Sequence, residues 1–557
     1  TFPDGFDISA VAANGATSAS DILGILTVAT PITDQVLTIN LQFGLSAGTI
    51  VADLTVANVT NPGVTGLTAG FPMETQTAAD VKIDAGTASG VNITAQPLLN
   101  TSVSLPDLTV GATGNLTVAF RTTNAVPAGG EFQITFPTEF VLTGVAANAT
   151  SAQVSGSKTI SVDDHVLSVL LQDGLGADVL INDLVIPGVK NPGFSGPTGT
   201  FAFETQDASN VKINEAPAVT GFTITPGAIL AAGVVPDSFE AGDIDNVTLS
   251  FRNTNPVPAN GDLQVTFPSG FDLSAVQPNS ASSASSKGGT LTASASGLTL
   301  TLNLSSGLAA NTLVDDLVVA NVKNPGVTGL TGTFAMETQN ASDVKIDQGT
   351  AGAISIDPGL LLNTGVVLAS PLAGASGNVT LSFTTTNLIP VNGDFQVTFP
   401  AGFDLTAVAA NSATSVLDIS GALTASVTDQ VLTVNLGNGL SAGTVVNDLV
   451  IANVKNPQVS GGTGTFDMKT QNAGDVLIDQ GFVVSIPIDP GVLSNTSVVP
   501  VSLVAGSTGN VTVSFTNSNP VSANGRMVVK FPSGFTLNSG VATGIANVSG
   551  ILGTFSV

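Results

Sequence analysis

The sequence predicts an all-β chain, a tandem array of antiparallel two-layer sandwiches. Three observations carry this expectation: self-similarity with a period of about 132 residues, period-two alternation of apolar and polar side chains, and a composition rich in turn formers. Hydrophobic residues make up 43% of the chain and charged residues 10%, with 61 Gly and 29 Pro. That balance suits short strands separated by many turns and holds too much apolar side chain for disorder. At roughly 100 to 200 residues per domain, a chain of 557 residues holds several domains, each able to bury its own core.

The repeat organises everything else. Thr-Phe-Pro opens the chain at Thr1, returns at Thr135, Thr266 and Thr398, and becomes Lys530-Phe531-Pro532, in steps of 134, 131, 132 and 132 residues. Asn-Pro-Gly falls at Asn61, Asn191 and Asn324 and becomes Asn456-Pro457-Gln458, in steps of 130, 133 and 132. A period this long is that of a whole domain rather than of a solenoid turn.

Within each unit the pattern is that of strands. Asn378 to Phe383 alternates polar and apolar residues, so Val379, Leu381 and Phe383 should face a core; the counterparts start at Asn115, Asn246 and Asn510. After the turn-forming Pro390 to Gly393 comes Phe395 to Phe399, again alternating, and the two runs read as neighbouring antiparallel strands. Further runs follow at Val431 to Leu436, Val445 to Val454, Gly464 to Lys469 and Asp475 to Ile478, giving seven to nine short strands per unit and no helix. A two-sheet sandwich accommodates such a set.

Gly, Pro and polar clusters place the boundaries, predicting a partial repeat at 1–88, complete repeats at 89–219, 220–350 and 351–482, and a second partial repeat at 483–557. The first partial repeat is missing the opening strands of a unit and the last one supplies them. Two expectations follow: the sequence is cut from a longer multi-repeat protein, or the last partial repeat of one chain completes the first of another by strand addition.

These sandwich-sized units, with their Asn-Pro-Gly turns and Pro-x-Asn-Gly connections, resemble the tandem immunoglobulin-like repeats of large extracellular filament, stalk and adhesin-type surface proteins. The resemblance spans the whole chain and is architectural; the Cys and Trp of antibody-type domains are missing. It implies immunoglobulin-like sandwiches and a role as spacer, stalk, filament or adhesin.

Composition argues against several function classes. With 13 Lys plus Arg against 40 Asp plus Glu and a formal charge of -27, the chain has no basic surface to neutralise phosphates, so neither nucleic acid nor an anionic membrane is an expected partner. No run of 18 apolar residues suggests a membrane span within this sequence. Zero Cys rules out thiol catalysis and a disulfide framework while leaving an extracellular address open.

Catalysis has little to work with, and no enzyme activity and no cofactor are expected. The single His, His165, aligns with Gln35 and Gln430 and reads as a surface residue of a hairpin turn. Recurring carboxylates raise the question of calcium, which takes several oxygen ligands: Asp53, Asp183, Asp316 and Asp448 share one position, where the competing reading is a strand-end hydrogen bond. Asp80 with Asp84, Asp343 with Asp347 and Asp475 with Asp479 share two others. There Lys82 and Lys345 should lie on the same face as the flanking carboxylates, forming a solvated ladder of opposite charges.

The glycosylation pattern Asn-x-Ser/Thr occurs at Asn58, Asn92, Asn100, Asn115, Asn148, Asn246, Asn303, Asn340, Asn378, Asn495, Asn510 and Asn547. Asn115, Asn246, Asn378 and Asn510 step by 131, 132 and 132, each beginning the same strand with its side chain opposite the inward residues. A glycan there would point to water and help dissolve a chain with few charges. Recurring Phe136, Phe267, Phe399 and Phe531 should be core, which speaks against an aromatic sugar-binding platform. With only a few residues between Ile478 and the next apolar stretch at Val484 to Ile488, neighbouring repeats should touch and form a semi-rigid rod. The leading expectation is a glycosylated, self-associating structural subunit of an extracellular or cell-surface filament, fibre or stalk. The alternative is an adhesin or surface-layer protein holding carbohydrate or another protein.

Overall fold

The computed structural model describes residues 1–537, so the glycosylation candidate Asn547 lies outside the described residues. Among them every regular element is a β-strand. The chain forms two compact units: one holds Thr1–Phe239, Asp243–Pro325 and Gly329–Ile356, the other Glu240–Gly242, Gly326–Thr328 and the chain from Asp357 onward.

In the first unit, the stretch 89–219 builds two facing sheets. One runs in the order Ile160–Asp163, Val166–Leu171, Gly130–Thr135, Thr200–Gln206, Lys212–Thr220 and Gln96–Pro97; the other pairs Leu99–Ser104, Thr113–Arg121 and Leu180–Lys190. In the stretch 220–350 a single strand joins both layers. Gly227–Pro236 pairs in parallel with Lys345–Ala351 at Gly227 and Ala228, and antiparallel with Ile244–Asn253 from Ile229 onward. The change of sheet occurs at a bulge around Ala231, whose φ is 49°. At the same place in the other repeats stand Asn100, Asn363 and Asn495, with φ of 49°, 51° and 52°. Asn tolerates this left-handed conformation better than most residues, which explains its recurrence at the kink.

The second unit repeats the plan. Gly359–Leu360, Leu477–Val483, Phe466–Gln471, Gly393–Thr398, Val431–Leu436 and Leu423–Thr428 form one sheet, and Leu362–Leu368, Ser376–Thr384, Val445–Lys455 and Ala413–Thr414 the other. These are immunoglobulin-like antiparallel sandwiches.

One expectation is corrected. Ser376–Thr384 and Gly393–Thr398 are not hydrogen-bonded neighbours; each belongs to a different sheet, because the connection through Pro390 passes from one layer to the other instead of closing a hairpin. Their contact is face to face: Phe383 and Phe395 stack with centroids 4.1 Å apart, and Phe120 and Phe132 do so at 4.2 Å. Val379, Leu381 and Phe383 are buried as the alternation predicts, as are Phe136, Phe267 and Phe399. Phe531 is half-buried. Each fully buried Phe contributes roughly 1.5–3 kcal/mol through lost apolar exposure.

Candidate functional site

Where one repeat meets the next, the Asn-Pro-Gly marker holds a loop in place. In the first unit, buried Asn191 donates its side-chain amide to the carbonyls of Asp107 at 2.9 Å and Thr109 at 2.8 Å, shaping the loop 107–112. That loop then bonds to the following repeat: Val110 N–H donates to Thr225 O at 2.9 Å, and Thr225 N–H returns to Leu108 O at 2.8 Å. Gly111, with φ of 66°, lies so close to Asn255 that a Cβ would stand 2.4 Å from its Oδ1. Only glycine meets both demands.

The second unit contains the same construction. Asn456 donates to Ser370 O and Leu372 O at 2.7 and 3.0 Å, Ala373 N–H donates to Asp489 O at 2.8 Å, and Asn519 donates its amide to Ala373 O at 2.7 Å. Within this unit Asn387 likewise donates to Ala241 O at 2.8 Å. Sequence reasoning missed Asn255, Asn387 and Asn519; their steps of 132 and 132 residues were the available signal.

The carboxylate ladder is corrected. Thr338 pairs with Asp347 but Gln339 pairs with Lys345, so Ile346 is an extra residue in a β-bulge. The bulge breaks the alternation and turns Lys345 and Asp347 to opposite faces. Lys345 then pairs with Glu337 at 2.6 Å, and Lys82 pairs with Glu74, while Asp347 and Asp479 are fully buried. Asp347 accepts from the Asn255 and Thr254 N–H groups at 2.9 and 3.0 Å and from the Asn255 amide at 2.7 Å. Burial pushes its carboxyl above the usual carboxylate range, against the pull of these donors. Asp479 accepts from Thr386 Oγ1 at 2.8 Å and the Asn387 amide at 2.7 Å. At the corresponding place Asn214 accepts from Thr123 Oγ1 and Asn124 N–H and donates to Asn124 O and Thr205 Oγ1. Asp80, Asp343 and Asp475 take left-handed turn positions, and Asp84 is exposed.

The bulge also offers a carbonyl to its surroundings. Ser195 donates both N–H and Oγ to Lys345 O at 2.8 Å, Thr65 N–H donates to Lys212 O at 2.8 Å, and in the second unit Thr328 N–H donates to Leu477 O at 2.9 Å. Ser195, Thr65 and Thr328 each lie four residues after an Asn-Pro-Gly asparagine.

The calcium candidates cap loops. Asp53 accepts from the hydroxyl of Ser18 and from Ser20 N–H at 2.6 Å; Asp183 accepts from Ser151 and from Ala152 N–H at 2.7 Å. Asp316 accepts from Ser283 Oγ at 2.9 Å and Ser285 N–H at 2.7 Å, and Asp448 from Ser415 and from Val416 and Leu417 N–H at 2.8 and 2.7 Å. The Ser18 hydroxyl, helped by backbone donors against desolvation, lowers the Asp53 carboxyl to about 2. For Asp183, Asp316 and Asp448 partial burial pushes upward, but the hydroxyl and N–H donors outweigh it and hold each below the usual range. Among the described residues no three His, Cys, Asp or Glu side chains gather into a metal-sized cluster.

His165 sits in a two-residue hairpin turn beside Asp164, whose φ is 54°. It is half-buried, its Nε2 lies 3.4 Å from Asp164 Oδ1, and its Nδ1 has no hydrogen-bond partner. The adjoining hollow is lined by Phe140, Val145, Ile160 and Glu139 among others. Asp164, whose carboxylate approaches the imidazole, lines it too, and among the described residues no hydroxyl is hydrogen-bonded to His165 as a nucleophile would be to its base.

Of the glycosylation candidates, Asn58, Asn92, Asn100, Asn115, Asn148, Asn378, Asn495 and Asn510 are exposed. Half-buried Asn246 donates its amide to Asp237, and Asn303 donates to Asp262 and Asn260 O. Asn340 closes an Asx turn on Ser342 and Val344.

No protein-family model and no curated protein matches the chain. Among solved structures, it is similar to the type II cohesin dyad from the adaptor scaffoldin ScaA of Acetivibrio cellulolyticus: 12% identity, 46% of this chain, 98% of that one and a TM-score of 0.16. It is also similar to the full-length major pilin SpaD of Corynebacterium diphtheriae, at 12% identity over 63% of this chain and 86% of that one, TM-score 0.19. The Escherichia coli adhesin FdeC shares 11% identity over 72% of this chain and 100% of the other, TM-score 0.17. Scores this low carry no argument about function, and the fold rests on the strand order above.

Proposed function

We propose that this chain is a structural subunit of an extracellular filament, fibre or stalk, N-glycosylated and with no catalytic turnover. The observation that supports it is the repeated junction: Val110 to Thr225 and Ser195 to Lys345 in the first unit, Ala373 to Asp489 and Asn519 to Ala373 in the second. Backbone and side-chain hydrogen bonds at each junction restrict the angle between neighbours, which is what a load-bearing array requires. Direct adhesion is the second reading; it draws on the almost fully exposed pair Val416 and Leu417 at a loop tip, an apolar contact offered to solvent.

Cryo-electron microscopy of native material tests the first reading. Filaments with regularly spaced sandwich density and branched density at Asn115 and Asn378 support it. Isolated chains without added density overturn it in favour of a tethered adhesin.

A further inference from the structure

The chain contains two Asp-Pro dipeptides, Asp357-Pro358 and Asp489-Pro490, one repeat apart. An aspartate ahead of proline carries its own cleavage chemistry. The side-chain carboxyl is one five-membered ring away from the carbonyl carbon of the same residue, and the proline nitrogen, a tertiary amide nitrogen, leaves as a basic secondary amine.

Both dipeptides lie between strands of successive sandwiches. Before Asp489, Pro487–Ile488 pairs with Gly461–Gly462; after Pro490, Ser494–Pro500 pairs with Val511–Thr516. Before Asp357, Ser355–Ile356 pairs with Gly329–Leu330; after Pro358, Gly359–Leu360 pairs with Asp479 and Gln480. A break at either dipeptide therefore interrupts no strand.

The two carbonyls at these bonds are already engaged. In the second unit Ala373 N–H donates to Asp489 O and Ala241 N–H to Asp357 O, each at 2.8 Å. Asp489 N–H donates to Pro371 O at 2.8 Å, so the backbone is held on both sides of this residue. A backbone N–H on the carbonyl oxygen draws electron density from the carbon and stabilises the negative charge that gathers on the oxygen during attack. Both aspartates are exposed, which leaves their carboxyls open to water and acid. Parallel bridges set Glu240 opposite Asp357 and Leu372 opposite Asp489, and Asn519, whose amide donates to Ala373 O, is neutral. The first unit supplies a contrast: Thr225-Pro226 stands at the same place with Val110 N–H on Thr225 O at 2.9 Å, but threonine has no carboxyl to close the ring.

We propose that Asp357-Pro358 and Asp489-Pro490 are acid-triggered self-cleavage sites that release intact sandwiches from the array. An oxygen of the Asp489 side-chain carboxyl attacks the Asp489 carbonyl carbon and closes a cyclic anhydride. The bond to the Pro490 nitrogen breaks, and the carboxyl proton moves to that nitrogen, which leaves as a secondary amine. One water then opens the anhydride, giving a new carboxyl terminus at Asp489 and a new amino terminus at Pro490. Water is the only co-reactant and each bond is cut once, so the chemistry is not turnover and does not rest on the filament reading.

Purified chain held at about pH 4, where an ordinary aspartate is close to half protonated, tests this. Mass spectrometry should find breaks after Asp357 and Asp489 and none after Thr225. The bond after Asp489 should break roughly five- to tenfold faster than in a synthetic peptide of residues 485–493, which lacks the Ala373 donor. Asp489→Ala should abolish that break and leave the one at Asp357, while Thr225→Asp should add a third. The products should keep the circular dichroism of the parent chain. An uncut chain, equal rates in chain and peptide, a break that survives Asp489→Ala, or products that lose their β signal overturns the proposal.

Discussion

Asn255 donates its side-chain amide to Asp347 Oδ1 at 2.7 Å, and both residues are buried. The same Asn stands against Gly111 of the preceding repeat, so one side chain fixes a carboxylate within its own sandwich and the contact with a neighbour. A buried carboxylate is costly, and it is retained here by three donors.

Asp347→Asn should therefore be well tolerated, changing stability by less than about 1 kcal/mol, because Asn214 fills the corresponding position with its amide oxygen accepting and its amide nitrogen donating. Asp347→Ala leaves buried donors unpaired and should cost about 1–3 kcal/mol. Denaturant unfolding of the two variants checks the ordering; equal losses would remove the role given to the hydrogen bonds.

Acid titration should separate two classes of carboxylate. Asp53, Asp183, Asp316 and Asp448 have depressed folded-state values, so their contribution is present above the unfolded value of about 3.9 and is lost as pH falls through the folded one, about 2 for Asp53. Asp347 is raised, so its contribution is full below the unfolded value and is lost as pH rises through the folded one. Thermal melts between pH 7 and pH 2 should show a shallower acid decline for Asp448→Asn than for the parent chain. Parallel curves would deny Asp448 its capping role.

Calcium should leave the protein unchanged. The four recurring carboxylates are already met by N–H and hydroxyl donors, which compete with a cation for the same oxygens. Melting temperatures in millimolar calcium and in chelator should coincide, and a rise of several degrees with calcium would reopen those positions as ligands.

Gly111→Ala combines a left-handed backbone with a Cβ placed on Asn255 Oδ1, and should weaken the junction by about 1–3 kcal/mol. Hydrogen exchange at Val110 and Thr225 should accelerate while the buried strand Thr113–Arg121 keeps its protection. Unchanged exchange at those two amides would show that the close approach contributes nothing.

Glycopeptide mass spectrometry of native material should find sugar at exposed Asn115 and Asn378 and little at Asn246 and Asn303, whose amides are engaged by Asp237 and Asp262. Occupancy in the reverse order would mean that folded-state access does not govern modification.

The sequence by itself determined the all-β class, the strands and their buried faces. Alternation over Asn378 to Phe383 marks an inward face because side chains on a strand point to opposite sides in turn, and those residues are buried as that rule requires. Tertiary structure decided which strands pair. Gly393–Thr398 follows Ser376–Thr384 closely in sequence yet lies in the opposite sheet, because stacking Phe383 on Phe395 across the core needs the connection to change layers. It also decided the fate of the carboxylates: a single extra residue at Ile346 reverses the alternation that placed Lys345 and Asp347 on one face. Such a bulge depends on the partner strand, and the side chains it buries depend on the neighbouring loop that supplies Asn255. Neither is local to the residues that carry the pattern.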